Sequence, residues 1–259
     1  MTKRYMLFTI LMLLAAVGVF AQDAVPTETV QQTRVNHEGV QFSFDSSLAG
    51  SVAVVQQPAQ IDGPAPSPAY TQYLLESYAY ETQFAPAAQI NILPTSGFAE
   101  FPIYGDQLNA LYLLLAERPF LNDYVTAAPG TPEVATFPFL PVYPAAQVFR
   151  AQPEYLEMPG LSGIRYLTYF SQGVNPIVEG DVFYTFQGIT DDGQYFVSAI
   201  FPVNTGVLDT DGNVEDYDAF ATNYLPYLDE VVQRVHAAEF FSPALSTLDD
   251  VVQSIRVNR

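Results

Sequence analysis

The sequence predicts an α+β fold, in which an antiparallel β-sheet is covered by helices and long loops. Segments rich in aromatic and β-branched residues fill the middle of the chain, and helical stripes of apolar residues close it. The strand segments are apolar on both faces, so the sheet needs a cover on each side. Cysteine is absent and 49% of the residues are hydrophobic, so we expect the core alone to hold the fold.

The first 21 residues have the pattern of a secretory signal peptide. Lys3 and Arg4 precede an apolar run from Met6 to Phe20, and Ala21 ends it at a position that a signal peptidase reads. No second apolar run of that length follows, so we expect no membrane span after cleavage. The pattern predicts a secreted or periplasmic protein. Residues 22–35 are predicted to form a flexible tether, and residues 36–259 a single α+β domain.

The charge balance bears on the class of partner. The chain has a formal net charge of −19 at pH 7, and past residue 21 it keeps seven arginines and no lysine. Nucleic acids are bound through clustered positive charge, so we exclude them as partners. The acidity is typical of a protein kept soluble by its charge, and the alternative is that it attracts cations or basic partners.

The first half of the domain alternates predicted strands with proline-rich loops. Val40, Phe42 and Phe44 alternate with polar residues, as a half-buried strand requires. Asp106 is predicted to cap a helix that ends before Pro119. The remaining predictions are a strand over 52–56, a loop over 58–68, a strand over 70–84, a strand over 89–93 and a loop over 129–144 with buried aromatic residues. A polyproline ligand from Pro138 to Pro141 is the alternative interpretation of that last loop.

The second half is predicted to hold the centre of the sheet and its cover. Strands are predicted over 163–170, 182–189 and 195–201, and Asp191-Asp192-Gly193 joins the last two as a hairpin. A helical stripe follows from Tyr217 to Val235, with an interruption near Pro226. A second helix is predicted to begin with Ser242 as N-cap and Pro243 as its first residue, and to carry its apolar face to Ile255.

The two ends of the domain resemble the PsbP/Mog1-type α/β sandwich. The resemblance rests on Gly39-Val40-Gln41-Phe42-Ser43-Phe44-Asp45 at the start and Leu248-Asp249-Asp250-Val251-Val252-Gln253-Ser254-Ile255 at the end. Asp45 stands where a proline is usual in that family. The resemblance implies a sandwich fold and a non-enzymatic docking module. Residues 163–168 and 183–190 are also similar to segments of exported bacterial proteins of unknown function.

Few residues offer nucleophilic or zinc chemistry. His37 and His236 are the only histidines, and no GxSxG motif occurs. A pair of carboxylates in a cleft would support a glycosidase-like reaction, but sequence spacing does not identify such a pair among 28 acids.

One acidic segment has part of a calcium-loop pattern. Asp209, Asp211 and Asn213 occupy alternate positions, as the first ligands of a Ca²⁺ loop do, and Asp216 would close a shorter loop. Val214 stands where the EF-hand turn has glycine. The alternative is an acidic turn in which Asp216 caps the next helix.

Two arginines lie inside the strand-rich block that is predicted from Val148 to Val203, where an unpaired charge is costly. Arg150 and Arg165 are expected to pair with acids or to reach an edge of the sheet, and the alternative is that one holds an anionic ligand group over the sheet. Three functions stay open. The first is an exported, non-catalytic binding module that docks an extracellular or envelope partner through loops rich in Tyr and Phe. The others are a secreted carboxylate-dependent hydrolase and a Ca²⁺-stabilised structural protein.

Overall fold

The computed structural model describes residues 31–80, 82, 85–125 and 136–258. The predicted signal peptide, most of the tether and part of the 129–144 loop lie outside this range. The described residues form antiparallel sheets and helices, which confirms the α+β prediction. The strands are β1 (Gln32–His37), β2 (Val40–Asp45), β3 (Ser51–Gln57), β4 (Tyr70–Glu76), β5 (Gln89–Pro94), β6 (Ala146–Met158), β7 (Leu161–Ser171), β8 (Phe183–Thr190), β9 (Tyr195–Pro202) and β10 (Arg256–Val257). The α-helices are α1 (Pro102–Glu117), α2 (Tyr217–Thr222), α3 (Tyr224–Ala237) and α4 (Leu245–Gln253), and short 3₁₀ helices span Thr95–Glu100 and Leu121–Tyr124.

The main sheet has seven strands in the order β3-β4-β5-β9-β8-β7-β6. Every neighbouring pair is antiparallel. The predicted hairpin joins β8 to β9, and Gly193 adopts a φ of 68° in its turn, where glycine avoids the strain of a side chain. Two meanders, β3-β4-β5 and β6-β7-β8-β9, therefore meet along the pairing of β5 with β9.

Both faces of the main sheet are buried at its central strands β8 and β9, as the sequence predicts. Tyr184 and Phe201 belong to one core with α3, α4 and the small sheet. Phe183 and Phe196 belong to a second core on the opposite face. The cover of the second face differs from the expectation that the C-terminal helices supply both covers. It is made by α1 and by the proline-rich segment, whose buried residues are Phe137, Phe139 and Leu140.

A smaller sheet has the order β1-β2-β10 and packs on the face of the main sheet that α3 and α4 cover. Glu38 and Gly39 form the two-residue turn between β1 and β2 with positive φ angles of 45° and 77°. The strand β1 includes residues 32–35, so the predicted tether is wrong for that stretch. Ser254, between α4 and β10, accepts a hydrogen bond from the Ser43 amide at 2.9 Å and so fixes the last strand beside β2.

Several predicted boundaries are wrong for identifiable reasons. The helix α1 begins at Pro102, because proline suits a first turn, and Asp106 lies inside it. The strand β4 ends at Glu76 instead of continuing to residue 84. The predicted interruption of the helical stripe near Pro226 is present, although it lies at Asn223, between α2 and α3, and Pro226 is in the first turn of α3. Ser242 does not cap α4, because Ala244 is the N-cap residue. Within the described ranges, no helix is long and apolar enough to cross a membrane.

Glu179 anchors the loop that follows β9. Its carboxylate accepts hydrogen bonds from the amides of Thr205, Val207 and Leu208 at 2.9, 3.1 and 2.9 Å, and from the Thr205 hydroxyl at 2.7 Å. Charge-assisted bonds of this kind are roughly twice as strong as neutral ones. The loop is therefore held against the turn 178–181 by one side chain.

Candidate functional site

Arg150 does not reach a surface ligand. It is 1% exposed and lies on the α1-covered side, where its Nε donates to the Tyr124 carbonyl at 3.0 Å and its Nη1 to Gln147 Oε1 at 3.2 Å. Its Nη2 has no hydrogen-bond partner among the described residues. The burial lowers the pKa of this guanidinium. Arg150 thus lies inside the core, where it donates hydrogen bonds to a backbone carbonyl and a side-chain amide. It contacts no acid among the described residues.

Arg165 pairs with acids, as one of the two interpretations predicts. Its guanidinium contacts Glu154 of β6 and lies 3.4 Å from Asp249 of α4. Tyr184 donates its hydroxyl to the same Asp249 at 2.9 Å. Burial raises the pKa of Asp249, and Arg165 opposes that shift. This group links the main sheet to α4 and gives Arg165 a structural role.

The acidic segment is arranged as a turn. Asp209, Asp211, Asn213 and Asp216 are all exposed. Asp211 accepts a hydrogen bond from the Asn213 amide at 3.3 Å. Asp216 caps α2 by accepting a hydrogen bond from the Ala219 amide at 3.0 Å. The capping alternative is therefore confirmed. Across the described part of the chain, no group of three or more His, Cys, Asp or Glu is placed to hold a metal ion.

The histidines make local contacts that hold the fold. His236 Nδ1 accepts the amide of Gln152 at 3.1 Å, and Gln152 has a φ of 51° within a bulge of β6. His37 lies beside Tyr73, with 3.5 Å between its Nδ1 and the tyrosine oxygen. Each imidazole therefore has a structural partner.

A cleft opens on the α1 side of the sheet, over the meander β3-β4-β5. It has a volume of about 290 Å³. Its floor is the sheet, one rim is the loop that carries Gln60 and Ser67, and the other rim is the turn 141–144. The backbone groups of Gln60 and Ser67 bond each other at 2.8 and 2.9 Å, which closes the first rim into a compact loop. The cleft is thus framed by two ordered loops on a rigid sheet.

The floor of the cleft carries a chain of glutamine side chains. Gln57 donates its Nε2 to Gln72 Oε1 at 2.8 Å, and Gln72 donates in turn to Gln89 Oε1. Gln89 donates to the Ala87 carbonyl at 3.1 Å. Within this hydrogen-bonded row, each glutamine amide donates to the next acceptor in the same direction. Each amide oxygen also has a second lone pair that can accept a hydrogen bond from a ligand. The three strands therefore present a row of aligned donors and acceptors.

Asn91 lies beside Gln72 on the same face of the sheet, but it is not bonded to the row of glutamines and is not among the residues that line the cleft. It stands opposite Gln72 on β4 and opposite Ser198 on β9, so it shares the cleft face of the sheet. Its side chain is 0% exposed, and neither Oδ1 nor Nδ2 has a hydrogen-bond partner among the described residues. A buried amide without partners costs about 1–3 kcal/mol, so such a group needs an explanation.

Tyrosines line the sides of the cleft. Tyr70, Tyr104 and Tyr143 contribute rings, and Tyr143 is 38% exposed. Burial raises the pKa of Tyr104 to about 12, and burial also raises the pKa of Tyr70 and Tyr143. All three hydroxyls are therefore neutral at physiological pH and able to donate. No charged side chain is among the described residues that line the cleft.

Sequence reasoning missed this cleft because its parts are far apart along the chain. Gln57, Gln72 and Gln89 come from three strands, and each looks like an ordinary polar position of a half-exposed strand. The one available signal was that these strands place glutamine, instead of a charged residue, at outward positions in a strongly charged chain. Comparisons of the chain with protein-family models, curated proteins and solved structures found no match.

Proposed function

We propose that the protein is a non-catalytic binding module that holds a neutral, hydroxyl-rich ligand in the cleft, and that the ligand is an oligosaccharide. The observation that carries the proposal is the uncharged row of amides in which Gln57 bonds Gln72 and Gln72 bonds Gln89, the last two lying on the floor of the cleft. Amides offer both donors and acceptors, which a sugar hydroxyl needs. A site built to bond hydroxyl groups rejects ligands that lack them, because its own polar atoms then stay unpaired.

The charge distribution supports a neutral ligand. The chain contains 28 acidic residues, yet none is among the described residues lining the cleft. A cationic ligand would be expected to meet a carboxylate there, and an anionic ligand an arginine. The exposed ring of Tyr143 offers an apolar face with a polar tip, which suits the mixed surface of a sugar ring.

The size of the cleft supports a short segment of a glycan. Small-molecule sites range from about 300 to 1,000 Å³, and the cleft, at about 290 Å³, lies just below the lower limit of that range. The absence of an acid from the described lining favours binding over hydrolysis, because carboxylate catalysis needs two acids beside the bond that breaks. With the predicted signal peptide, we infer an extracellular or envelope glycan as the partner.

Calorimetric titration with neutral oligosaccharides tests the proposal. A panel of β-linked and α-linked glucose, xylose and N-acetylglucosamine oligomers covers the main neutral classes. We expect at least one to bind with a Kd below about 1 mM. Gln72→Ala and Tyr143→Ala should weaken that binding about tenfold, because each removes one contact worth about 1.4 kcal/mol.

Gln194→Ala is the matched control, because Gln194 is an exposed amide in the hairpin turn outside the cleft. It should leave the affinity unchanged. Failure of every neutral oligomer to bind the folded wild-type protein would overturn the proposal. Equal weakening by Gln72→Ala and Gln194→Ala would overturn the assignment to this cleft.

A further inference from the structure

A second polar surface lies on the outer face of the small sheet. Arg34 is on β1 and Arg256 is on β10, with β2 between them. Arg34 stands opposite Ser43, and Arg256 stands opposite Gln41. Residues that face each other across neighbouring strands point to the same side of a sheet, as do residues two apart on one strand. Both arginines therefore rise from one face.

The spacing of the two arginines suits a group held between them. They are separated by two strand spacings and offset by two residues, which places their Cα atoms about 12 Å apart. Two long side chains can close such a distance from opposite sides. The concave surface between them has a volume of about 530 Å³.

Neither arginine on this face pairs with a described acid, which is also true of Arg150 and Arg234. Arg118 pairs with Glu157, Arg165 pairs with Glu154, and Arg150 and Arg234 donate to backbone carbonyls inside the fold. In a chain with 28 acids against nine lysines and arginines, a free arginine would be expected to find an acid. Neither Arg34 nor Arg256 forms an ion pair with a described residue.

Arg256 is already oriented. Its Nη1 donates to the carbonyls of Gln253 and Ile255 at 2.8 and 2.6 Å, which fixes one side of the guanidinium and leaves Nε and Nη2 for other partners. Asp45 lies on the same face, diagonally across the β1–β2 pairing from Arg34, and its Oδ1 accepts a hydrogen bond from the Ser47 amide at 2.8 Å. The polar side chains that line the surface beside the arginines are neutral donors and acceptors, and Val35 and Phe42 are the apolar residues of the lining; the polar ones are Gln32, Asn36, Gln41, Ser43 and Ser254.

We propose that this face binds the anionic group of a small polar ligand, with Arg34 and Arg256 on its two sides. A carboxylate, sulfate or phosphate fits, because a guanidinium fork bonds each of these groups in two places. The neutral amides around the arginines would bond the uncharged remainder of the ligand. The site is separate from the cleft on the main sheet and does not depend on it.

Titration calorimetry at low salt tests the proposal with three probes. Trigalacturonate carries carboxylates, a sulfated disaccharide carries sulfate, and inorganic pyrophosphate carries phosphate. We expect at least one probe to bind with a Kd below about 1 mM. We also expect its affinity to fall as the salt concentration rises. The probe that binds identifies the anionic group.

Arg34→Gln and Arg256→Gln should each weaken this binding about tenfold, since each removes a charge-assisted hydrogen bond. Arg118→Gln is the control, because it removes the same charge from an arginine that is paired elsewhere. Arg34 is exposed, so its variant should keep the melting temperature of the wild type.

Two results would overturn the proposal. The first is that no probe binds the folded wild-type protein. The second is that Arg118→Gln weakens binding as much as Arg34→Gln, which would show a general effect of net charge. Binding of neutral oligosaccharides should be unchanged in Arg34→Gln, so failure here is distinguishable from failure of the cleft proposal.

Discussion

At the scale of single residues, two facing glycines let the main sheet close around an aromatic ring. Gly163 on β7 stands opposite Gly188 on β8. A Cβ on either residue would lie within 3.0 Å of the Phe186 ring, and a Cβ on Gly163 would also press on the Gln187 carbonyl. The ring of Phe186 is 0% exposed and covers the space that side chains would fill. This close approach explains why glycine occurs in the interior of both strands.

Replacing Gly163 with alanine should lower the free energy of unfolding by about 3 kcal/mol. The new methyl group would push against a backbone carbonyl, which cannot move without breaking the sheet pairing. Urea denaturation measures the change. Gly105→Ala in α1 is the matched control, because a Cβ there meets nothing within 4 Å, and it should be neutral or stabilising by about 1 kcal/mol. Equal losses in the two variants would contradict this explanation.

The burial of Asp181 should make the stability of the protein depend on pH. Burial raises the pKa of its carboxyl group, although the Val178 amide donates to it at 2.9 Å. The folded protein therefore holds the proton to higher pH than the unfolded chain does. Stability is lost as the pH rises from about 4, where the unfolded group ionises, through the higher folded pKa.

The variant Asp181→Asn does not ionise, so its stability relative to the wild type should increase between about pH 4 and pH 7. Urea denaturation across that range measures the difference. Asp192→Asn is the contrast, because hydrogen bonds from Thr190 and Gln194 lower the pKa of Asp192, so the stability from that group is lost only as the pH falls below about 4 and the difference should stay nearly constant between about pH 4 and pH 7. A difference that stays constant with pH for Asp181→Asn would contradict the assignment.

At the scale of elements, the two edges of the main sheet are protected unequally. The edge strand β6 has two register shifts and contains Pro153, features that discourage pairing with another chain. The opposite edge strand, β3, has seven residues with no charge, no proline and no bulge. Val54, in the middle of β3, is 38% exposed. This edge is the part of the sheet most open to an added strand.

Aggregation should therefore begin at β3 when salt screens the net charge of the protein. Val54→Lys should slow the growth of light scattering at high ionic strength, because a lysine on an edge strand opposes strand addition. Leu225→Lys is the control, since Leu225 is 55% exposed on α3 and the change in charge is the same. The prediction fails if both variants slow aggregation to the same extent.

Local sequence patterns predicted the strands and helices well, but they predicted poorly which elements and residues lie next to one another in the fold. Val40, Phe42 and Phe44 alternate as expected and are all buried. The helix boundary at Asp106 was wrong because a good capping residue also occurs inside helices, and Pro102 gave the better start. Of the two candidate anion-binding arginines, Arg165 has the predicted acid partners and Arg150 has no acid partner among the described residues. Arg34 lies in the segment that the sequence predicts as a tether, so no pattern marks it as a candidate.

At the scale of the whole molecule, the apolar residues on both faces of the sheet predicted that each face is covered. They did not predict which segments of the chain pack on each face. The second cover is the proline-rich segment with α1, which looks like a loop and a short helix in the sequence. The cleft could not be predicted, since it depends on Gln57, Gln72 and Gln89 becoming neighbours on the sheet. Such neighbours follow from strand order, and a single sequence carries little information on the order of distant strands.

The pairing of the earliest strands with the latest ones governs when this chain can fold. Ile90 of β5 pairs with Ala199 of β9, and Val40 of β2 pairs with Val257 of β10. Neither sheet can be completed until the last part of the chain has been made, and contacts over such separations form slowly. Such a chain would remain unfolded for most of its synthesis, which would be compatible with export if the predicted signal peptide directs it.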